Sequence, residues 1–123
     1  MSGSEYFLDT NIILYILSGN KTIADYLHQR KLYTSVICEM ELLGFKNLNA
    51  AEERGIRSFL SQFRILYIDD VIKNEAISLR KMYGLKLPDC IVGATAISLN
   101  LPLISADKAF KEVKNLLLEL YEP

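Results

Sequence analysis

The chain has 123 residues, half of them apolar, enough to bury one compact core without disulfides or a structural metal. Its formal net charge of −1, from 14 basic and 15 acidic side chains, gives no bulk attraction to nucleic acid, so any RNA or DNA contact must use a local patch. A single histidine and the absence of a C-x-x-C spacing argue against a zinc site.

Met1 to Ser4 is small and polar and reads as a lead segment. Tyr6, Phe7 and Leu8 form a short strand, after which Asp9 or Thr10 caps a helix through Ile12, Ile13, Tyr15, Ile16 and Leu17. That helix stops at Ser18-Gly19-Asn20. Asp9, Thr10 and Asn11 interrupt the apolar stretch and no basic segment precedes it, so neither a signal peptide nor a membrane span is expected. The expected location is the cytoplasm. A second helix over Thr22 to Gln29 carries Ile23, Tyr26 and Leu27 as its apolar stripe. Leu32-Tyr33-Thr34 reads as a strand, and Ser35 as the cap of a helix bearing Cys38, Glu39 and Glu41. Helical spacing returns from Ala50 to Phe63.

Ile65 to Ile68 is β-rich and ends at Asp69-Asp70, where a helix begins that runs to about Tyr83 and is closed by Gly84. Pro88 suits a first helical position, which places Asp89 in the first turn of a helix through Leu99. Leu103 to Ser105 is a strand, Asp107 starts a short helix, and Leu116 to Leu120 reads as a final strand. Cys38 and Cys90 lie within apolar helical runs and read as buried core residues of a reducing compartment. Strands and helices alternate without linkers or repeats. The expectation is one α/β domain over residues 1–123, with a mostly parallel sheet of four to five short strands flanked by helices.

Asp9, Glu41, Asp89 and Asp107 are the carboxylates that this order brings toward the carboxyl edge of such a sheet, where α/β folds keep their ligands. Oxygen donors without His or Cys suit a hard cation, Mg²⁺ or Mn²⁺, and metal-assisted phosphodiester hydrolysis needs such an ion to polarise phosphate and activate water. Each aspartate also suits an N-cap, and Asp69-Asp70 meets the same positional criterion, so position does not exclude that pair. Glu41 differs, because it sits inside a helix between Met40 and Leu42-Leu43; Glu39, two positions earlier, faces elsewhere.

Four segments, FLDTNIILY, SVICEMELLGF, LPDCIVGATAISLNLPLIS and SADKAF, carry a family resemblance. The chain resembles a PIN-domain ribonuclease, and its length and order look like a VapC-type toxin of a toxin–antitoxin pair. The resemblance implies a PIN-like fold in which Asp9, Glu41, Asp89 and Asp107 are the catalytic, metal-binding acids. It makes Thr10, Asn11 and Ser105 site-supporting and assigns Asp69-Asp70 to a structural cap. The family often has Thr where Ser105 stands, and several members are more basic. The implied chemistry is Mg²⁺- or Mn²⁺-dependent cleavage of RNA, including transfer RNA, with a cognate antitoxin and a homodimeric assembly. Tyr15, Leu17, Leu43 and Phe45 are candidates for an antitoxin groove or for ordinary core.

Lys46, Lys86, Lys108 and Lys111 stand near the acids in sequence and are candidate RNA contacts, with Phe45 or Tyr83 as stacking partners. Three rival readings have distinct requirements. A haloacid-dehalogenase-like phosphatase needs an acid where this chain has Asn11. A response-regulator receiver needs paired acids after the first strand and leaves Glu41 unexplained. A non-catalytic PIN-like RNA- or protein-binding module would keep the fold without turnover.

Overall fold

The computed structural model describes residues 4–123, so Met1–Gly3 of the lead segment lie outside it. Strands β1 (Glu5–Leu8), β2 (Lys31–Ser35), β3 (Phe63–Leu66), β4 (Leu103–Ser105) and β5 (Leu118–Leu120) form one sheet in the order β3-β2-β1-β4-β5. Every pairing is parallel, so the expected mostly parallel sheet is wholly so. Helices α1 (Thr10–Leu17), α2 (Lys21–Tyr26), α3 (Val36–Leu43), α4 (Ala50–Leu60), α5 (Asp70–Tyr83) and α6 (Leu87–Leu99) connect the strands, with a 3₁₀ helix at Lys108–Glu112.

Central strand β1 is buried on both faces, as its unbroken apolar run requires. Tyr6 and Leu8 point into a core with Ile12, Ile13, Leu42 and Ile104, while Phe7 points into the opposite core with Cys38, Val92 and Phe110. Both cysteines are free and buried, as expected of core residues. Burial pushes the Cys38 thiol up to about 11, far from a reactive thiolate.

Short polar side chains start the helices. Asp9, Asn20, Ser35, Asn49 and Asp69 each accept a backbone hydrogen bond at an N-cap, and Asn49 and Glu52 complete a capping box. Gly84 closes α5 at φ +67°, in the left-handed region. Gly93 serves packing: a Cβ there would lie 3.3 Å from Leu79 and 3.6 Å from Phe110, so its absence lets α6 approach α5 and the 3₁₀ helix.

Several boundaries differ from those expected. Helix α2 ends at Tyr26 rather than Gln29, because Gln29 adopts a positive φ of 62° that no helix continues through. Phe63 belongs to β3, paired with Leu32, and β3 ends at Leu66, two residues before Ile68. The final strand starts at Leu118 instead of Leu116. Among the described residues no helix is long and apolar enough to cross a membrane.

Candidate metal centre

Because β1 and β4 are adjacent and parallel, with Leu8 in register with Ile104, both chains leave the sheet at one edge. Asp9 follows β1 there, its N–H donating to the Ile104 carbonyl at 3.1 Å. As N-cap of α1, Asp9 accepts through Oδ1 from the Thr10 N–H at 2.8 Å. Its Oδ2 accepts from the Ser105 hydroxyl at 2.7 Å and from Asn11 Nδ2 at 3.4 Å. Ser105 Oγ in turn accepts from the Asp107 N–H at 3.0 Å, and Asn11 Oδ1 from the Ala106 N–H at 3.1 Å. Asp9 is thus held by two elements at once, and the same network draws the Asp107 turn alongside.

Glu41 approaches from α3, where its Oε1 accepts from the Thr10 hydroxyl at 2.6 Å. Asp89 stands in the first turn of α6, behind Pro88, and Asp107 caps the 3₁₀ helix by accepting from the Ala109 N–H at 2.9 Å. Asp89 is half-buried, and that desolvation pushes its carboxyl up to about 6, with Asp107, Asp9 and Glu41 adding to the shift. Burial also raises Asp9; the bonds from Ser105 and Thr10 oppose the rise, and Glu41 and Asp107 reinforce it. Glu41 and Asp107 therefore stand close enough to Asp9 and Asp89 to add to the rise of both. The starts of α1 and α6 partly offset it, since helix N-termini favour negative charge.

A cavity of about 350 Å³ opens beside this cluster, bounded by Asp89, Asp107, Tyr83, Lys86 and Glu112. The family model of the PIN domain matches residues 6–116. The chain belongs to the PIN-domain family. Solved structures agree with the assignment. A toxin–antitoxin complex from Klebsiella pneumoniae is 33% identical, with 90% of this chain and 94% of that chain covered at a TM-score of 0.78. VapBC-1 from nontypeable Haemophilus influenzae is 27% identical, with 94% and 97% covered and a TM-score of 0.79. VapBC2 from Rickettsia felis, solved on a promoter DNA fragment, shares the fold at 22% identity and a TM-score of 0.84, with 96% and 99% covered. A search of curated proteins found no match.

Family membership sets aside the phosphatase and receiver readings. In this PIN domain the oxygen-only donor set fits a hard divalent cation: the acids offer negative charge that their neighbours penalise, and a cation would relieve the penalty. The arrangement is not a closed cage, for no three Asp, Glu, His or Cys side chains among the described residues stand disposed to hold an ion.

The other expected residues of the PIN domain divide clearly. Asp69 caps α5 by accepting from the Ile72 N–H at 2.8 Å, and Asp70 lies 3.4 Å from Lys73. Lys86 lines the cavity beside Asp89; Lys46, Lys108 and Lys111 are exposed. Tyr15 and Leu43 pack against the core, whereas Leu17 and Phe45 are exposed. Glu112, on the cavity wall, escapes sequence reasoning because a polar residue on a short 3₁₀ helix carries no periodic signal.

Proposed function

We propose that this PIN domain, acting as a single unit over residues 1–123, is a divalent-metal-dependent endoribonuclease and the toxin of a toxin–antitoxin pair. The observation that carries the reading is the meeting of the acids at the carboxyl edge of the sheet: Thr10 reaches Glu41, Ser105 joins Asp9 to the Asp107 turn, and Asp89 and Asp107 line one cavity. Asp9 and Asp89, with Glu41 and Asp107 directly or through water, would hold Mg²⁺ or Mn²⁺. The bound ion supplies positive charge to the phosphodiester and lowers the pKa of the attacking water. Thr10, Asn11 and Ser105 orient the acids, Ser105 by committing its proton to Asp9 and Thr10 by committing its own to Glu41.

The likeness to the Klebsiella pneumoniae toxin–antitoxin complex supports an antitoxin partner, with exposed Leu17 and Phe45 as contacts for it. RNA, with transfer RNA foremost, is the proposed substrate, a homodimer the proposed assembly and the cytoplasm the proposed compartment. The open arrangement of the acids favours a second reading, a PIN-like binding module without turnover. One experiment separates them: purified protein is incubated with total and transfer RNA in Mg²⁺ or Mn²⁺, beside EDTA and Asp9→Asn controls. Cleavage lost in both controls supports the nuclease. Cleavage surviving both rejects the mechanism, and RNA retained intact supports the binding module.

A further inference from the structure

The cavity beside the candidate metal centre shares Asp89 and Asp107 with it and is otherwise walled by Tyr83, Gly84, Lys86 and Glu112 among others. Its volume of about 350 Å³ falls within the range of small-ligand sites. Tyr83 spans from the end of α5 to the segment after the 3₁₀ helix, where its hydroxyl accepts from the Lys114 N–H at 3.1 Å. With the hydroxyl so fixed, the ring serves as a wall. A Cβ at Gly84 would meet nothing within 4 Å, so this stretch of wall is open. Lys86 and Glu112 are both exposed, and neither has an ion-pair partner among the described residues.

A cavity joining an aromatic ring, an unpaired cation and an unpaired carboxylate to phosphate-cleaving acids has the chemistry of a nucleotide subsite. We infer that it holds a guanine nucleotide of the RNA next to the scissile phosphate, with Glu112 as its specificity-determining residue. The inference rests on the nuclease reading above. An ionised carboxylate only accepts hydrogen bonds. Guanine presents two neighbouring N–H donors, N1–H and the N2 amino group, and so matches both oxygens of Glu112. Adenine and cytosine each set one amino group beside a ring nitrogen that would face the carboxylate with a lone pair. Tyr83 offers a stacking surface, and Lys86 a contact for the flanking phosphate.

The test is fluorescence anisotropy with labelled hexaribonucleotides, all-adenine or with a single guanine, in Ca²⁺ in place of Mg²⁺, alongside mapping of cleavage ends on total RNA in Mg²⁺. The wild type should bind the guanine oligonucleotide about tenfold more tightly or better, and cleavage ends should carry guanine at a fixed position. Glu112→Gln should lose the preference while keeping its affinity for the all-adenine strand. Gly84→Asn, which tolerates the left-handed backbone, should weaken guanine binding by placing a side chain in the cavity. Thermal melts verify that both variants fold. Cleavage without guanine preference, indifferent to both variants, overturns the subsite and leaves the nuclease reading intact. Guanine-dependent binding without cleavage keeps the subsite and overturns the nuclease reading. Absence of RNA binding and cleavage overturns both.

Discussion

Ser105 donates its hydroxyl proton to Asp9 Oδ2 at 2.7 Å, tying the end of β4 to the end of β1 across the sheet edge. Ser105 Oγ itself accepts from the Asp107 N–H at 3.0 Å, so one hydroxyl orients one acid and places the turn of another. Ser105→Ala should lower Mn²⁺ affinity by about 10–100-fold, the usual cost of removing a group that orients a metal ligand. Ser105→Thr, which keeps the hydroxyl, should recover most of that loss. Isothermal titration of Mn²⁺ into the three proteins checks this, and equal affinities would remove Ser105 from the site.

Glu41 and Glu39 lie on the same short helix but serve different surroundings. Glu41 accepts from Thr10 beside Asp9, whereas Glu39 lies in the first turn of α3. Glu41→Gln should reduce RNA cleavage by about 10–100-fold at fixed Mg²⁺. Glu39→Gln should leave the rate near wild type and shift stability by no more than about 0.5 kcal/mol. A reversed order of the two variants in a cleavage assay would move the helical acid from Glu41 to Glu39.

The pH dependence has a definite sign. Burial and the neighbouring acids raise Asp89 from an ordinary 3.8 to about 6, and Asp9 is raised as well. A carboxyl whose pKa is higher folded than unfolded stabilises the fold when protonated. That contribution is complete below about pH 4 and lost as pH rises through about 6. In EDTA, Asp89 and Asp9 should therefore lower thermal stability between pH 5 and pH 8, and Asp89→Asn should flatten the decline. Mg²⁺ should reverse it at pH 8, with binding that strengthens through the same interval as protons are released. A melting temperature that rises from pH 5 to pH 8 equally in wild type and Asp89→Asn would contradict the assigned shift.

Phe110 anchors the 3₁₀ helix that Asp107 caps, and it is almost completely buried against Phe7, Val92 and Leu103. Phe110→Ala should destabilise the fold by about 3–5 kcal/mol, measured by urea unfolding. Because Asp107 rides on this helix, a variant that remains folded should also bind Mn²⁺ less tightly. Unchanged metal affinity in such a variant would mean that Asp107 stands outside the site.

The sheet and the positions of the acids were legible because strand-to-helix junctions leave strong local marks: Tyr6-Phe7-Leu8 before Asp9, Ser35 before its helix, and Pro88 before Asp89. The parallel order of the strands brings those junctions to one edge, so the neighbourhood followed from topology. What joins the acids was less legible. The bonds from Thr10 to Glu41 and from Ser105 to Asp9 link residues 31 and 96 positions apart, and no local pattern specifies such pairs. The β3 boundary was misplaced for a similar reason. Phe63 suits the end of an amphipathic helix, but its pairing with Leu32 is decided by the sheet. Tyr67 and Ile68 favour strand by composition, yet both stand exposed beyond the last paired residue, Leu66.

Asp9, Glu41, Asp89 and Asp107 are proposed to surround one divalent-metal site. Anomalous diffraction from a crystal soaked in Mn²⁺ tests it most directly. A peak is expected among these four side chains, with oxygens of Asp9 and Asp89 about 2.0–2.6 Å from it, and its loss in Asp9→Asn. A metal-saturated crystal with no peak among the acids, from protein that still cleaves RNA, would contradict it.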